Sequence, residues 1–196
     1  MIRALTSLHD AVFGGLERAT VPVMTTLARL LFAAILLFYY WNSGLTKLGD
    51  GVLGFLFPSD GAYIQIFPKT VEALGYDTSQ LGTFHWAVVV AGTWAEFLLP
   101  LLIVIGLFTR LAAAGMIGFV AVQTWVDLYG HGGIAHEGTL GAWFDRFPDA
   151  IVLDQRAFWL FVLLYLVFRG AGPLSVDRLL RSGSSAHQAA RQPAQG

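Results

Sequence analysis

The segment that decides the fold runs from Phe84 to Leu107 and reads FHWAVVVAGTWAEFLLPLLIVIGL. It is long enough to cross a bilayer as a helix, which needs about 20 mostly apolar residues. One acidic residue, Glu96, lies near its middle. Because a carboxylate is costly in hydrocarbon, this side chain must face protein, water or a partner charge. Glu96 is therefore the first candidate for a functional residue.

Composition places the whole chain among integral membrane proteins, with the lipid bilayer as its surroundings. Of its 196 residues, 56% are hydrophobic and only 13% are charged, whereas soluble domains carry about 25% charged residues. A net charge of −1 argues against a nucleic-acid partner. The sequence contains no cysteine, which excludes disulfides, thiolate nucleophiles and iron–sulfur ligation by this chain.

Hydropathy predicts three further crossings, which makes the fold an all-α bundle of four transmembrane helices. The predicted spans are Leu30–Leu48, Phe84–Leu107, Leu111–Tyr129 and a short one centred on Ala157–Phe168. The short span measures about 18 Å, so it either thins the bilayer or extends outward through residues 151–153.

Three units are predicted along the chain. Residues 1–22 form an amphipathic interfacial helix, with a frayed tail as the alternative. Residues 23–181 form the four-helix membrane domain. Residues 182–196, rich in Ser, Ala, Gln and Pro, are expected to be disordered.

Basic residues orient the predicted bundle. Most of them, including Arg29, Arg110 and Arg169, fall on the side that also holds both termini. The positive-inside rule therefore predicts cytoplasmic termini, in a multi-pass protein of a bacterial or archaeal cytoplasmic membrane. The segments 49–83 and 130–155 then face outward. Since structureless loops of that length are uncommon, we expect them to form ordered caps.

Polar side chains from three predicted helices fall toward the outer end of the bundle. Along the chain they are Trp41, Asn42, Ser43, Lys47, His85, Trp94, Glu96, Gln123 and Asp127. We expect them to converge on an outward-opening pocket with Glu96 at its floor. Glu96, Lys47 and Asp127 are the candidates for proton exchange, and the others are candidates for ligand contact.

Each of these residues also has a plainer structural interpretation. Lys47 can extend its amine to the headgroups, and Asp127 can end the third helix. The aromatic residues can form an interfacial belt. Glu96 can serve as an interhelical hydrogen-bonding group without any chemistry.

The surroundings of Glu96 lead to an expectation about its charge. Pro100 lies four residues further along and cannot bond the Glu96 carbonyl, so a kink and a free backbone acceptor are predicted there. Lys47 is predicted to lie roughly 10–15 Å away in depth, so direct pairing needs a strong kink or a water chain. Burial favours a neutral carboxyl, whereas a close lysine favours the ionised form. A mostly neutral, proton-exchanging Glu96 is therefore expected.

The histidines raise the question of a metal or haem site. His131 and His136 lie five residues apart in the second outer segment, and His85 lies at the outer end of the second helix. Their spacing matches no specific ligand signature, so no metal site is predicted.

Three elements, in order and at helix boundaries, resemble the DoxX family. Asn42–Leu48 (NSGLTKL) is similar to its sGxxKL element. Glu96 followed by Gly106–Ala113 (GLFTRLAA) resembles its E…GLxTRLAA stretch, and Gly170–Asp177 (GAGPLSVD) resembles its closing GxGxxSxD element. The resemblance covers about residues 27–180.

This resemblance implies a four-helix membrane protein related to DoxD, the small membrane subunit of thiosulfate:quinone oxidoreductase. Lys47, Glu96 and Arg110 match the family motif. The implied function is that of a membrane subunit of a redox complex, and this subunit interacts with quinone. Its expected partners are other redox subunits or further copies of itself. The alternatives are a proton-coupled small-solute transporter and a non-catalytic membrane scaffold.

In the quinone interpretation, Glu96 exchanges protons with a quinone oxygen and Lys47 stabilises negative charge. Trp41 and Trp94 are expected to stack on the ring. Four further residues are predicted to be structural, in the kink, in a tight cytoplasmic turn and in the stop of the fourth helix. They are Pro100, Arg110, Gly172 and Pro173.

Overall fold

Residues 2–189, which the computed structural model describes, form helices and no strand. Four helical segments in this part are long and apolar enough to cross a membrane. They are Thr20–Leu45, Thr83–Ile105, Thr109–Gly130 and Ile151–Arg169, called spans 1 to 4 below. The predicted all-α membrane protein with four spanning helices is thereby confirmed.

Span 1 belongs to one continuous helical segment. That segment consists of α1 (Ile2–Phe32), a π-helical turn (Ala33–Leu37) and α2 (Phe38–Leu45). The span starts at Thr20 rather than at the predicted Leu30, because protein groups bury Arg29 and the apolar run continues past it. Residues 2–22 form the first part of α1, and their position on a membrane surface stays a prediction.

The remaining spans follow the hydropathy closely. Span 2 is α5 (Thr83–Ile105), which stays helical on both sides of Pro100. Span 3 joins α6 (Thr109–Trp125) to a π-helical turn (Val126–Gly130). Span 4 joins a π-helical turn (Ile151–Arg156) to α8 (Ala157–Arg169). Of the two alternatives for the short fourth span, the extension through residues 151–153 is therefore the one observed.

The two long connections form caps, as predicted, over the end of the bundle where α2 stops. We call this the Lys47 end. The first cap contains α3 (Asp60–Ile66), α4 (Pro68–Ala73) and a 3₁₀ turn (Thr78–Gln80). The second contains a 3₁₀ turn (Gly133–Ala135) and α7 (Glu137–Leu140). Which side of the membrane the caps occupy stays a prediction.

The core lies where span 3 packs between the other spans. Its buried members include Phe32, Leu36, Tyr40, Ile103, Met116, Val120, Leu163 and Leu166. Glycine brings α2 and α5 together at one level, since a Cβ on Gly44 would lie 2.8 Å from the ring of Phe97. Small residues at helix contacts allow this close approach in membranes. The contact sets Ser43 beside α5.

The opposite end of the bundle, called the Arg29 end, is closed by a buried arginine. Arg29 is only 7% exposed, and its guanidinium donates to carbonyls of Ile103 and Val104 at the end of α5. It also donates to the carbonyls of Ala171 and Leu174, in the loop after α8. The last carbonyls of a helix have no partner within it. Arg29 therefore supplies the donors that this junction lacks.

A final helix, α9 (Val176–Ala189), follows that loop. Ser175 caps its start, because the Ser175 hydroxyl accepts from the Arg178 N–H at 3.3 Å. The structure continues α9 through residues 182–189, where the composition predicts disorder, and Ser, Ala and Gln all tolerate a helix. Residues 190–196 lie outside the described residues.

Asp177, in the first turn of α9, caps a different helix. Its Oδ1 accepts from the Phe108 N–H at 2.8 Å and its Oδ2 from the Thr109 N–H at 3.0 Å, at the start of α6. Burial by itself raises the pKa of Asp177, but the backbone hydrogen bonds from Thr109 and Phe108 outweigh it, so the net pKa lies below the ordinary value. The carboxylate thus joins α6 to α9.

Replacement of this cap tests the junction. Asp177→Ala is expected to lower the free energy of unfolding by about 1–2 kcal/mol, the usual cost of a lost N-cap. Because the folded pKa is depressed, the contribution is complete above the unfolded pKa of about 3.9 and is lost as pH falls through the folded pKa. Denaturation by SDS in mixed micelles at pH 7 and at pH 3 measures both effects. Glu72→Ala, at an exposed site on α4, is the control. An advantage of wild type that grows on acidification contradicts the capping role.

Candidate functional site

Glu96 lies on the face of α5 that meets α2, and it is 4% exposed. Lys47, just after α2, is 5% exposed, and its Nζ lies 3.0 Å from each carboxylate oxygen of Glu96. The Ser43 hydroxyl donates to Glu96 Oε1 at 2.9 Å and accepts from Lys47 at 2.8 Å. These contacts make an ion pair inside the bundle, called the Lys47–Glu96 pair below.

This direct pairing shows that the predicted separation of Lys47 and Glu96 is wrong. Gly44 lies level with Phe97, so the first turns of α5 project past the end of α2 and the two helices do not end in one plane. Lys47 also folds back along its helix, with Nζ 3.2 Å from the Ser43 carbonyl. The expectation of a mostly neutral Glu96 rested on burial, which is observed, and on that separation, which is not; the contact with Lys47 favours the ionised form. The lysine also does not reach out to the headgroups.

The Lys47–Glu96 pair lines a cavity of about 570 Å³ between α5 and α6. Space for it exists because small residues face each other across the two helices. These are Ala91, Gly92 and Ala95 on α5 and Gly118 on α6. Gly115 also lines the cavity, but it packs closely against Leu99. Apolar walls come from Val88, Leu99, Phe119, Val122 and Val126, and the first cap contributes Gln65 and Ile66. The outward-opening pocket of the prediction thus corresponds to a cavity at the Lys47 end.

A second ion pair borders the same cavity. Asp127, in the π-helical turn after α6, lines the cavity and pairs with Arg156 at a short contact between Oδ2 and Nη2. Arg156 is 3% exposed and also donates to the Thr124 hydroxyl at 2.8 Å. Asp127 therefore balances a buried arginine rather than only ending span 3. Arg156 was not among the predicted site residues. Its position at the start of the short fourth span, together with Asp127 near the end of the third, could have indicated an ion pair within the bundle.

Gln123, one turn before Asp127, is the third polar group on the α6 side. The Tyr40 hydroxyl donates to its Oε1 at 3.2 Å, and its Nε2 donates to the Tyr39 hydroxyl at 3.0 Å. Tyr40 is completely buried, and Tyr39 packs against Trp159 with ring centroids 5.6 Å apart. The two tyrosines therefore fix the amide of Gln123 at the cavity wall.

Two of the predicted ligand contacts, on α2, lie away from the cavity. The Trp41 indole donates to the Phe97 carbonyl at 3.2 Å, so this ring strengthens the α2–α5 contact. Asn42 is exposed. Only Ser43 and Lys47 of this stretch line the cavity. Residues four apart share a helix face, whereas Trp41 and Asn42 lie on other faces.

Two predicted ligand contacts on α5 are also placed elsewhere. His85 shares the face of Glu96, but the first cap covers it, and the Phe67 ring packs on it with centroids 4.9 Å apart. Trp94 packs on Phe55 of the same cap at 5.6 Å. Both residues hold the cap on α5 instead of reaching the cavity.

Of the two histidines in the second long connection, His131 has a structural contact. His131 Nε2 lies 3.0 Å from the Gln65 carbonyl, which ties the second cap region to α3. Within residues 2–189, no group of three His, Asp or Glu side chains is arranged to hold a metal ion.

The residues predicted to be structural lie in tightly packed or turning regions. Pro100 is fully buried within α5. Arg110 is exposed at the start of α6, and Gly170 approaches its Nε. Gly172 has φ +78° and no room for a side chain, since a Cβ there would lie 2.1 Å from the Thr25 hydroxyl oxygen. Pro173 follows in the loop that leads to α9.

Fold and site together define the class: a multi-pass helical membrane protein with an ion-paired cavity between its second and third spans. The family model of DoxX matches residues 24–128, more than half of the chain, and the chain therefore belongs to the DoxX family. The matched region contains Lys47 and Glu96 and ends before Gly170–Asp177. A comparison with curated proteins gave no match, and neither did a comparison with solved structures.

Proposed function

We propose that this chain is an integral membrane subunit of a redox complex and that its cavity binds the head group of a quinone. The observation that carries the proposal is the Lys47–Glu96 pair, joined by Ser43, on the wall of a cavity of about 570 Å³. Small-molecule sites have volumes of about 300–1,000 Å³ and combine apolar walls with a few polar groups. This cavity has that composition.

The residues present fit a quinone in two ways. Apolar walls, including Phe119 and Leu99, suit the ring and its hydrocarbon tail. Glu96 and Gln123, on opposite helices, provide polar contacts for two oxygens of one head group. The predicted ring stacking by Trp41 and Trp94 is not part of this proposal, because both lie outside the cavity.

In this proposal Glu96 receives a proton from the bound head group or returns one to it. Lys47 holds the carboxylate in place and balances its charge while the proton moves. The quinone supplies two-electron redox chemistry when bound, and a partner subunit exchanges the electrons. We place the protein in a bacterial or archaeal cytoplasmic membrane, with both termini cytoplasmic and the caps outside.

Retention of quinone by the purified protein tests the proposal. Solvent extraction of wild type should release quinone, counted as the oxidised and reduced forms together. The double variant Lys47→Met/Glu96→Leu keeps an apolar pair of similar volume, so it should fold. It should retain at least about tenfold less quinone, because the cavity has lost the polar contacts of Lys47 and Glu96. The control is Glu72→Gln, on the exposed surface of α4, which should retain as much as wild type.

Equal retention by wild type and the double variant, or none in either, contradicts the quinone function. In that case uptake of solutes into liposomes distinguishes the two remaining functions. A pH-dependent uptake that the double variant loses would indicate a proton-coupled transporter. If neither wild type nor the double variant takes up solute, a membrane scaffold is indicated.

A further inference from the structure

On the cavity wall that contains the Lys47–Glu96 pair, the hydrogen-bond donors of Lys47 and Ser43 are all engaged. An ammonium group carries three N–H donors and no acceptor. Lys47 Nζ faces four acceptors: both carboxylate oxygens of Glu96, and the hydroxyl and carbonyl oxygens of Ser43. The Ser43 hydroxyl hydrogen is directed to Glu96 Oε1. Neither Lys47 nor the Ser43 hydroxyl therefore retains a donor for a ligand.

Acceptors on the same walls are only partly engaged. Each oxygen of a carboxylate accepts about two hydrogen bonds. Glu96 Oε1 receives two, from Ser43 and Lys47, whereas Oε2 receives one, from Lys47. Asp127 uses Oδ2 for Arg156, and its Oδ1 has no donor among residues 2–189. Two carboxylates that line one cavity thus each keep an accepting position.

The uncharged polar groups do not reverse this balance. Gln65 and Gln123 carry amides, which offer donors and acceptors equally. Gln123 uses one of each on Tyr40 and Tyr39. The His131 Nε2–H is directed to the Gln65 carbonyl, so this donor is also engaged. The cavity as a whole therefore has more open acceptors than open donors.

We infer that this cavity selects a head group that donates hydrogen bonds, which means hydroxyls directed at Glu96 and Asp127. A quinone only accepts hydrogen bonds, whereas its hydroquinone carries two hydroxyl donors. The reduced form is therefore the preferred ligand of the cavity. The identity of this ligand pair rests on the proposed function, while the preference for a donor does not.

Binding to purified wild-type protein in detergent, by competition with an environment-sensitive fluorescent amphiphile, tests this with two probe pairs. The first pair is a long-chain alkylphenol and its methyl ether, which differ by one donor. The second is a short-tailed hydroquinone, kept reduced without oxygen, and its quinone. A hydrogen bond to a charged acceptor corresponds to a difference of about tenfold or more. We expect the phenol and the hydroquinone to bind more tightly by that factor.

Two variants locate the preference. Glu96→Gln replaces an acceptor by an amide N–H donor, while Ser43 and the remaining amide oxygen still engage the three donors of Lys47, so the hydroquinone preference should fall to about one or reverse. Asp127→Asn should reduce it in part, and it serves independently if the first variant does not fold. Glu72→Gln is the matched control and should leave the ratio unchanged. An unchanged ratio in both cavity variants contradicts the assignment to these carboxylates.

The two probe pairs separate this inference from the proposed function. Equal binding of phenol and ether, or of hydroquinone and quinone, overturns the donor preference, and in the second case the quinone function stands. If neither quinone form binds while the phenol outbinds its ether, the quinone function falls and the donor preference stands. If no probe binds, both are wrong.

Discussion

Lys47→Met should lower the free energy of unfolding by about 3–5 kcal/mol, the usual cost of removing one partner of a buried ion pair. The reason is that Glu96, at 4% exposure, would keep its carboxylate inside the bundle with only the Ser43 hydroxyl left as a donor. Glu96→Leu should cost a similar amount, because Lys47 is equally buried. Ser43→Ala removes one neutral donor and should cost only about 1 kcal/mol.

The double variant Lys47→Met/Glu96→Leu makes this expectation specific. It leaves no uncompensated charge, and apolar replacements of buried ion pairs are often neutral or stabilising. We therefore expect it to unfold within about 1 kcal/mol of wild type, with a large coupling energy in the cycle. SDS denaturation in mixed micelles, monitored by helicity and tryptophan fluorescence, measures the four proteins of the cycle and Ser43→Ala. Single variants as stable as the double one would show that the pair is not coupled.

The spanning helices were predictable because hydropathy is a local property. Span 2 was predicted as Phe84–Leu107 and is Thr83–Ile105. The predicted start of span 1 at Leu30 is wrong, because an arginine next to an apolar run has the pattern of a helix end at the headgroups. The burial of Arg29 depends on carbonyls from α5 and from the loop after α8, which are distant in sequence. A local pattern cannot show that an arginine has such partners.

The partners of Glu96 were only half predictable. Helical spacing placed Ser43 and Lys47 on one face of the first span, and that grouping is observed. Spacing does not give the relative shift of two helices along their axes, which here follows from the Gly44 contact with Phe97. An error in this shift produced the wrong depth for Lys47. The contact of the first cap with His85 likewise does not follow from the helix pattern.

The cavity itself was not predictable from residue types. Glycine in a spanning helix usually indicates close packing, and Gly115 follows that rule, since a Cβ there would lie 3.1 Å from Leu99. Gly118, one turn away, has nothing within 4 Å and opens the cavity. The same residue type therefore has opposite consequences, and only the tertiary arrangement decides between them.

Arg29→Met should be the most damaging substitution at the other end of the bundle, with a loss of about 3–5 kcal/mol. The guanidinium donates to four carbonyls, and each hydrogen bond to a charged group contributes about 1.5–3 kcal/mol, part of which water and relaxation recover. Arg29→Lys keeps the charge but loses the planar guanidinium with its several fixed donors. It should therefore recover less than half of the free energy that Arg29→Met loses.

The matched control for this prediction is Arg110→Met, which removes an exposed arginine at the same end of the bundle and should cost less than about 1 kcal/mol.

A second test of the same junction is Gly106→Ala, whose Cβ would lie 2.8 Å from Arg29 Cζ at a backbone φ of +73°. It should displace the guanidinium and cost more than about 1 kcal/mol. SDS denaturation midpoints for the four variants give the ranking. Equal losses for Arg29→Met and Arg110→Met would mean that this end is held by charge at the headgroups, and not by the carbonyl contacts of a buried arginine.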